Sequence, residues 1–226
     1  MKWERKTGIV LALDVPDRER AFSLLDEVAD FIDVIKFNYP LILREGLRIV
    51  TDIKRRYRKP ILADFKVADV PVTNDRIVRL AAEAGADGIM VHGFIGIDAL
   101  RSARRAAGTM KVLVVTQLTN PGGLDFTAQF TEEFAGLAKL LELDGVQAPG
   151  NRPEVVARVR EIVGPELTVV CCGIGAQGGR FGAAIAAGAD FEIVGRAIYD
   201  APEPPRAVEK IRAAIAPGLG KGGSPR

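Results

Sequence analysis

Cysteine is nearly absent. The 226 residues hold two, Cys171 and Cys172, side by side, and adjacent cysteines cannot build a disulfide framework. Histidine is scarcer: His92 stands alone, which excludes a histidine pair and any His-rich metal site. No apolar run approaches the roughly 18 residues of a membrane span. A basic start (Lys2, Arg5, Lys6) leads only into a short apolar stretch, 8–13, that Asp14 breaks, so a secretory signal is not expected. An excess of charge of one sign is also missing. Against 29 acidic side chains stand 31 basic ones, a formal net charge of +2, and that balance offers no basic face for nucleic acid or a membrane surface. These absences leave a soluble, reduced, cytoplasmic protein as the expectation, with neither nucleic acid nor membrane as partner. With 48% hydrophobic and 27% charged residues, the chain has the composition of a globular protein and the length to bury a large core.

Short β-rich runs alternate with amphipathic stretches. Strands are expected at 8–14, 34–37, 61–66, 88–92, 111–117, 145–148, 168–172 and 192–194, each apolar and short, as buried parallel strands are. Helical patterns lie at 17–30, 40–57, 73–84, 98–107, 131–141, 153–163, 180–187 and 205–216. Strict alternation implies a parallel sheet with helices outside it, and eight units are the count that closes a single (β/α)8 TIM barrel. Ala84-Gly85-Ala86-Asp87 recurs as Ala187-Gly188-Ala189-Asp190, before the fourth and the eighth strand. The reading is therefore an α/β protein with one catalytic barrel over 1–217 and a disordered tail over 218–226. A doubly wound dinucleotide fold is the other architecture considered, because Gly173-Ile174-Gly175-Ala176-Gln177-Gly178 fits G-x-G-x-x-G with Glu192 downstream. Only one βαβ unit remains after that match, where such a fold needs several.

In a barrel of this kind chemistry sits at the C-terminal strand ends. There lie Asp14, Lys36, Asp64, Lys66 and, in the following loop, Asp69. Strand alternation turns Leu62, Asp64 and Lys66 to one face and Ile61, Ala63 and Phe65 to the other. Charges among packed helices are costly, so the first set belongs to the barrel mouth. An ion-pair network closing the barrel top is the structural alternative for any one of these residues. Together, alternating lysines and carboxylates keep each other ionised, and a lysine so held can deliver a proton to a carbanion. The glycines of 173–179 and Gly195-Arg196 follow the seventh and eighth strands, the common phosphate position of such barrels. His92 ends the fourth strand, either as a hydrogen-bonding residue of the mouth or as a structural histidine. Thr73, taken alone, reads as the N-cap of the third helix. Cys171 and Cys172 alternate faces and read as packing residues, with Cys172 edging the mouth.

Asp64-Phe65-Lys66-Val67-Ala68-Asp69 has the D-x-K-x-x-D pattern of the orotidine 5'-phosphate decarboxylase suprafamily, and the chain resembles its archaeal orotidine 5'-phosphate decarboxylase branch. The likeness extends through Leu11-Ala12-Leu13-Asp14, Val34-Ile35-Lys36, 63–71 with Thr73-Asn74, His92-Gly93-Phe94, 173–179 and Val194-Gly195-Arg196. Lys36 narrows it, because the metal-using sugar-phosphate relatives carry an acidic residue near that strand end. The resemblance implies decarboxylation of orotidine 5'-monophosphate to uridine 5'-monophosphate, the last step of de novo UMP synthesis, without metal or organic cofactor. It implies Lys66 as proton donor to C6 and Asp64 as the carboxylate facing the leaving group. Lys36 and Asp14 would hold the ribose, and Thr119 the pyrimidine edge. Gly173, Gly175, Gln177, Gly178, Gly195 and Arg196 would take the 5'-phosphate, under a lid beginning at Cys172. Asp69 and Thr73 would reach a neighbouring subunit's site, which implies a homodimer with shared active sites. The family's usual serine is Thr119 here, and its usual proline at the lid start is Cys172. The rivals are a Mg2+-dependent sugar-phosphate decarboxylase or hexulose-phosphate synthase of the same suprafamily, and a non-catalytic phosphate-ligand-binding barrel.

Overall fold

Strands buried on both faces read as continuous apolar runs, and the computed structural model, which describes residues 3–219, forms them where the sequence is most β-branched. They are β1 (Ile9–Ala12), β2 (Val34–Phe37), β3 (Ile61–Val67), β4 (Gly88–His92), β5 (Lys111–Val115), β6 (Gly145–Pro149), β7 (Thr168–Cys172) and β8 (Phe191–Val194). All pair in parallel in chain order, and β8 returns to β1 to close the barrel. The helices are α1 (Arg18–Val28), α2 (Tyr39–Glu45), α3 (Arg48–Tyr57), α4 (Pro71–Glu83), α5 (Gly96–Ala106), α6 (Thr131–Leu140), α7 (Pro153–Val163), α8 (Ala183–Ala186), α9 (Arg196–Tyr199) and α10 (Pro204–Leu219). The closed barrel disposes of the dinucleotide fold.

Two apolar layers follow from strand alternation. The larger packs the outer strand faces against the helices. The smaller fills the barrel with Val10, Val34, Leu62, Met90, Leu113, Val170 and Phe191. Trp3 closes the bottom, edge-on to Phe191 with ring centroids 6.3 Å apart and so close under Gly88 that a Cβ there would lie 2.8 Å from its ring.

An aspartate stands before each even-numbered strand and accepts amides at or just before the start of the preceding odd one. Asp33 takes those of Lys6, Thr7 and Gly8. Asp87 takes Ile61 at 2.7 Å, Asp144 takes Val112 at 2.9 Å, and Asp190 takes Val169 at 2.8 Å. Lys54 pairs with Asp87, and Arg160 with Asp190 at 2.6 Å. The repeated Ala-Gly-Ala-Asp thus marks two of four such ties, which fix the bottoms of the strands and leave their tops for chemistry.

Differences from the sequence reading lie in the connections. The helix expected at 40–57 is two helices, broken at Gly46 with φ 71°. The helix expected from Thr73 is α4, which starts at Pro71 with Val70 as its N-cap. Thr73 therefore lies inside the first turn and is not the cap, because proline supplies the helical φ two residues earlier. The helix expected at 180–187 shrinks to α8, since Gly182 takes φ 82° just before it. β1 ends at Ala12 and β5 at Val115, so Asp14 and Gln117 lie beyond their strands. The short α9, opening on Arg196, was not foreseen. α10 runs to Leu219, two residues into the expected tail; the rest of that tail, 220–226, lies outside the described residues.

Candidate active site

β3 carries the centre of the site. Its alternation points Leu62 into the barrel filling and Asp64 and Lys66 to the mouth above it, while Ala63, Phe65 and Val67 pack outward. The pairing of β3 with β4 slips between Ala63 and Val67, and Lys66 takes φ 44°. A non-glycine residue in the left-handed region costs about 1–3 kcal/mol, a kind of strain found at functional sites.

Four charges form a chain across β1, β2 and β3. The Lys36 ammonium lies 3.3 Å from Asp14 Oδ1 and 3.0 Å from Asp64 Oδ2. Lys66 Nζ donates to Asp64 Oδ1 at 2.6 Å. The inner pair is sealed, with side chains 4% and 3% exposed for Lys36 and Asp64, whereas Lys66 (30%) and Asp14 (33%) open to the cleft. Burial alone would neutralise the inner pair. It opposes the charge on Lys36, but Asp64 and then Asp14 hold its pKa above the ordinary lysine value. Burial likewise pushes the Asp64 carboxyl up, and Lys36 and Lys66 more than reverse it, leaving it below the usual carboxylate range. The inner pair stays charged, with the Lys36 ammonium and the Asp64 carboxylate side by side.

The cleft above these charges, about 220 Å³, is lined by Asp14, Lys36, Asp64, Lys66, Thr119, Cys172, Gly173, Gln177, Gly195 and Arg196, all singled out from sequence. Arg196 is exposed, and its side chain makes no ion pair or hydrogen bond among the described residues, so its guanidinium is free for an anion. The loop after β7 folds back on itself. Gly175 donates to the Gly179 carbonyl at 2.7 Å, and Gly179 to that of Gly173 at 3.0 Å, which presents Ala176 and Gln177 to the cleft. Burial, then Asp64, pushes the Cys172 thiol up to about 11, so it lines the wall protonated. Cys171 packs in the outer core.

Gly175 and Gly178 shape that loop without lining the cleft, and within one chain Asp69 and Thr73 do not reach it. Asp69 is exposed at the rim. Its backbone is clasped by the buried Asn74 side chain, whose Oδ1 accepts the Asp69 amide and whose Nδ2 donates to the Asp69 carbonyl. His92 lies just outside the cleft, stacked on Phe94 with centroids 4.5 Å apart. Burial, then Lys66, lowers its pKa to about 4, and its Nδ1 is buried with no hydrogen-bond partner among the described residues.

Sequence reasoning missed Asn38, Gln147 and Tyr199 in the cleft wall. A signal existed for two of them. Gln147 is a lone polar residue inside an apolar strand, and Asn38 follows Lys36 by two, hence on the same face. Tyr199 comes from α9, which the sequence did not announce.

The sequence profile of the Orotidine 5'-phosphate decarboxylase / HUMPS family matches residues 7–211. The orotidine 5'-phosphate decarboxylase of Methanococcoides burtonii is 45% identical over 210 residues, covering 92% of this chain and 97% of that one. That of Pyrococcus furiosus is 41% identical over 203 residues, covering 90% and 95%. Among solved structures, the Methanocaldococcus jannaschii orotidine 5'-monophosphate decarboxylase complexed with inhibitor BMP superposes with a TM-score of 0.87 at 37% identity, over 95% of this chain and 99% of that one. The Pyrococcus horikoshii enzyme gives 0.85 at 41%, over 92% and 99%.

Proposed function

Because this chain belongs to the Orotidine 5'-phosphate decarboxylase / HUMPS family, we propose that it is a carboxy-lyase converting orotidine 5'-monophosphate to uridine 5'-monophosphate in the cytoplasm, within a single catalytic barrel. The observation that carries this reading is the buried Lys36–Asp64–Lys66 chain under an open cleft. Asp64, ionised and sealed, sets a negative charge against the substrate carboxylate and raises its energy relative to the transition state, in which that charge disperses. The C6–carboxylate bond breaks, CO2 departs, and its electron pair stays on C6. Lys66 gives its proton to C6 and regains one from water. Lys36 keeps Asp64 ionised and, with Asp14, holds the ribose hydroxyls. Thr119 takes the pyrimidine edge, its hydroxyl able to donate and accept. Arg196, Gly195 and the 173–178 loop bind the 5'-phosphate, far from the broken bond, and that remote binding energy drives loop closure.

The chemistry proceeds without a metal. The ammonium of Lys36 occupies the space between Asp14 and Asp64 that a divalent cation would need, which supports this reading over the Mg2+-dependent relatives. A homodimer with shared sites accompanies it. Val70, Phe94, Leu124, Phe126 and Phe130 on the connections after β3, β4 and β5, and Val72 in the first turn of α4, are exposed, on the rim that carries Asp69 and Thr73. An apolar rim of that kind fits a second copy of the chain.

The test is Lys66→Ala. Removing the proton donor lowers kcat by about 10²–10⁴-fold, while uridine 5'-monophosphate still binds measurably by calorimetry. Turnover near the wild-type value would overturn the assignment of Lys66.

A further inference from the structure

Glu192 is a buried acid that the reaction does not use. It lies on β8 with no exposed surface, its side chain on the outer face of the strand, opposite to that of Phe191 in the barrel filling. No cation pairs with it among the described residues. Both of its oxygens are taken by backbone amides: Oε2 accepts from Gly182 at 2.9 Å, and Oε1 from Ala184 at 3.0 Å and Ile185 at 3.4 Å. These amides belong to the segment where the loop after β7 ends and α8 begins. Gly182 is also pinned from the other side. Its φ is 82°, and a Cβ there would stand 2.4 Å from the Ala214 carbonyl oxygen of α10.

β8 ends at Val194, two residues past Glu192, and the chain runs on through Gly195 into Arg196, the first residue of α9. β8 therefore carries the carboxylate that grips the far end of the loop and leads directly into the arginine that faces the cleft. The loop itself, 173–179, is held mainly by its own turns and has the exposed Ala176 and Gln177 at its tip. It is a short flap with a fixed foot.

Resting on the phosphate-lid reading above, we infer that Glu192 is a positioning residue for closure. It sets the point about which the loop swings and ties that point to the strand that leads into Arg196, so that both halves of the phosphate site move against one frame. A neutral residue of the same shape supplies a single acceptor oxygen and turns an NH2 group toward an N–H donor, which frees part of the foot.

The experiment uses Glu192→Gln with the full chain and orotidine 5'-monophosphate. The expected result is a KM raised about tenfold with kcat within threefold, because the loss falls on binding energy collected through the lid. In a Gln177→Ala background, where the lid has lost its own contact, Glu192→Gln adds less than a twofold effect. An unchanged KM in the single variant, or the full tenfold effect persisting beside Gln177→Ala, overturns the inference. Hydrogen exchange on the wild-type protein gives a readout that needs no variant to fold. The amides of Gly182 and Ala184 are protected without nucleotide, and those of 174–179 gain protection only when uridine 5'-monophosphate is added. Exchange at Gly182 as fast as at 176–178 in the free protein overturns the inference. A wild-type protein with no turnover of orotidine 5'-monophosphate overturns the function instead, and the free-protein exchange at Gly182 still decides the anchor.

Discussion

His92 combines near-complete burial, an unpartnered Nδ1 and a neighbouring lysine, and the three together make it an acid sensor of stability. Its pKa falls from 6.5 to about 4 on folding. A depressed value means that the stabilisation is fully present above the unfolded pKa and is lost as pH falls toward the folded one. Between pH 6.5 and 4 the protein therefore loses about 3 kcal/mol through this group, at about 1.4 kcal/mol per unit. Glu192 acts in the opposite sense, because burial raises its pKa and the stability linked to it is lost as pH rises. Comparing urea unfolding of the wild type with His92→Gln isolates the histidine, and the expected outcome is a flatter acid limb in the variant. Parallel limbs would contradict it. At this scale the charged residues of the site were legible, since Asp64 and Lys66 share a strand face by simple alternation. The left-handed backbone of Lys66 was not, because it arises from a register slip against β4 that no local pattern encodes. Nor was the fate of His92, which depends on the Phe94 ring and the Lys66 charge beside it.

Strands were easier to read than the helices around them. A buried parallel strand needs only a short β-branched run, whereas helix ends here are set by single residues: Gly46, Gly182 and the Val70-Pro71 pair. The 84–87 and 187–190 repeat was visible, yet its purpose emerged only when Asp87 and Asp190 were seen to hold amides of neighbouring strands. That role predicts a stability cost divorced from catalysis. In Asp190→Ala the Val169 amide loses its Asp190 acceptor and Arg160 Nη2 its ion pair, which costs about 1–3 kcal/mol. The expected result is a lower melting temperature with kcat within twofold of wild type. A variant of wild-type stability would remove the aspartate ties from the account.

Whole-molecule organisation was legible as far as the barrel itself. Eight units and a closed barrel follow from counting alternations, while Asp69 and Thr73 sit at the rim, outside the cleft of their own chain. If Asp69 serves the partner's cleft, mixing Lys66→Ala with Asp69→Ala subunits creates heterodimers with one doubly defective site and one intact site. Two inactive parents then recover up to half the activity of a wild-type dimer per heterodimer. Verified subunit exchange without recovery would assign Asp69 to its own barrel. The central claim is that the intact enzyme decarboxylates orotidine 5'-monophosphate through lysines and carboxylates alone. It is tested most directly by following loss of the substrate's ultraviolet absorbance with enzyme exhaustively treated with EDTA. The account predicts undiminished turnover and no response to added Mg2+. Activity lost on chelation and restored by Mg2+ would contradict it.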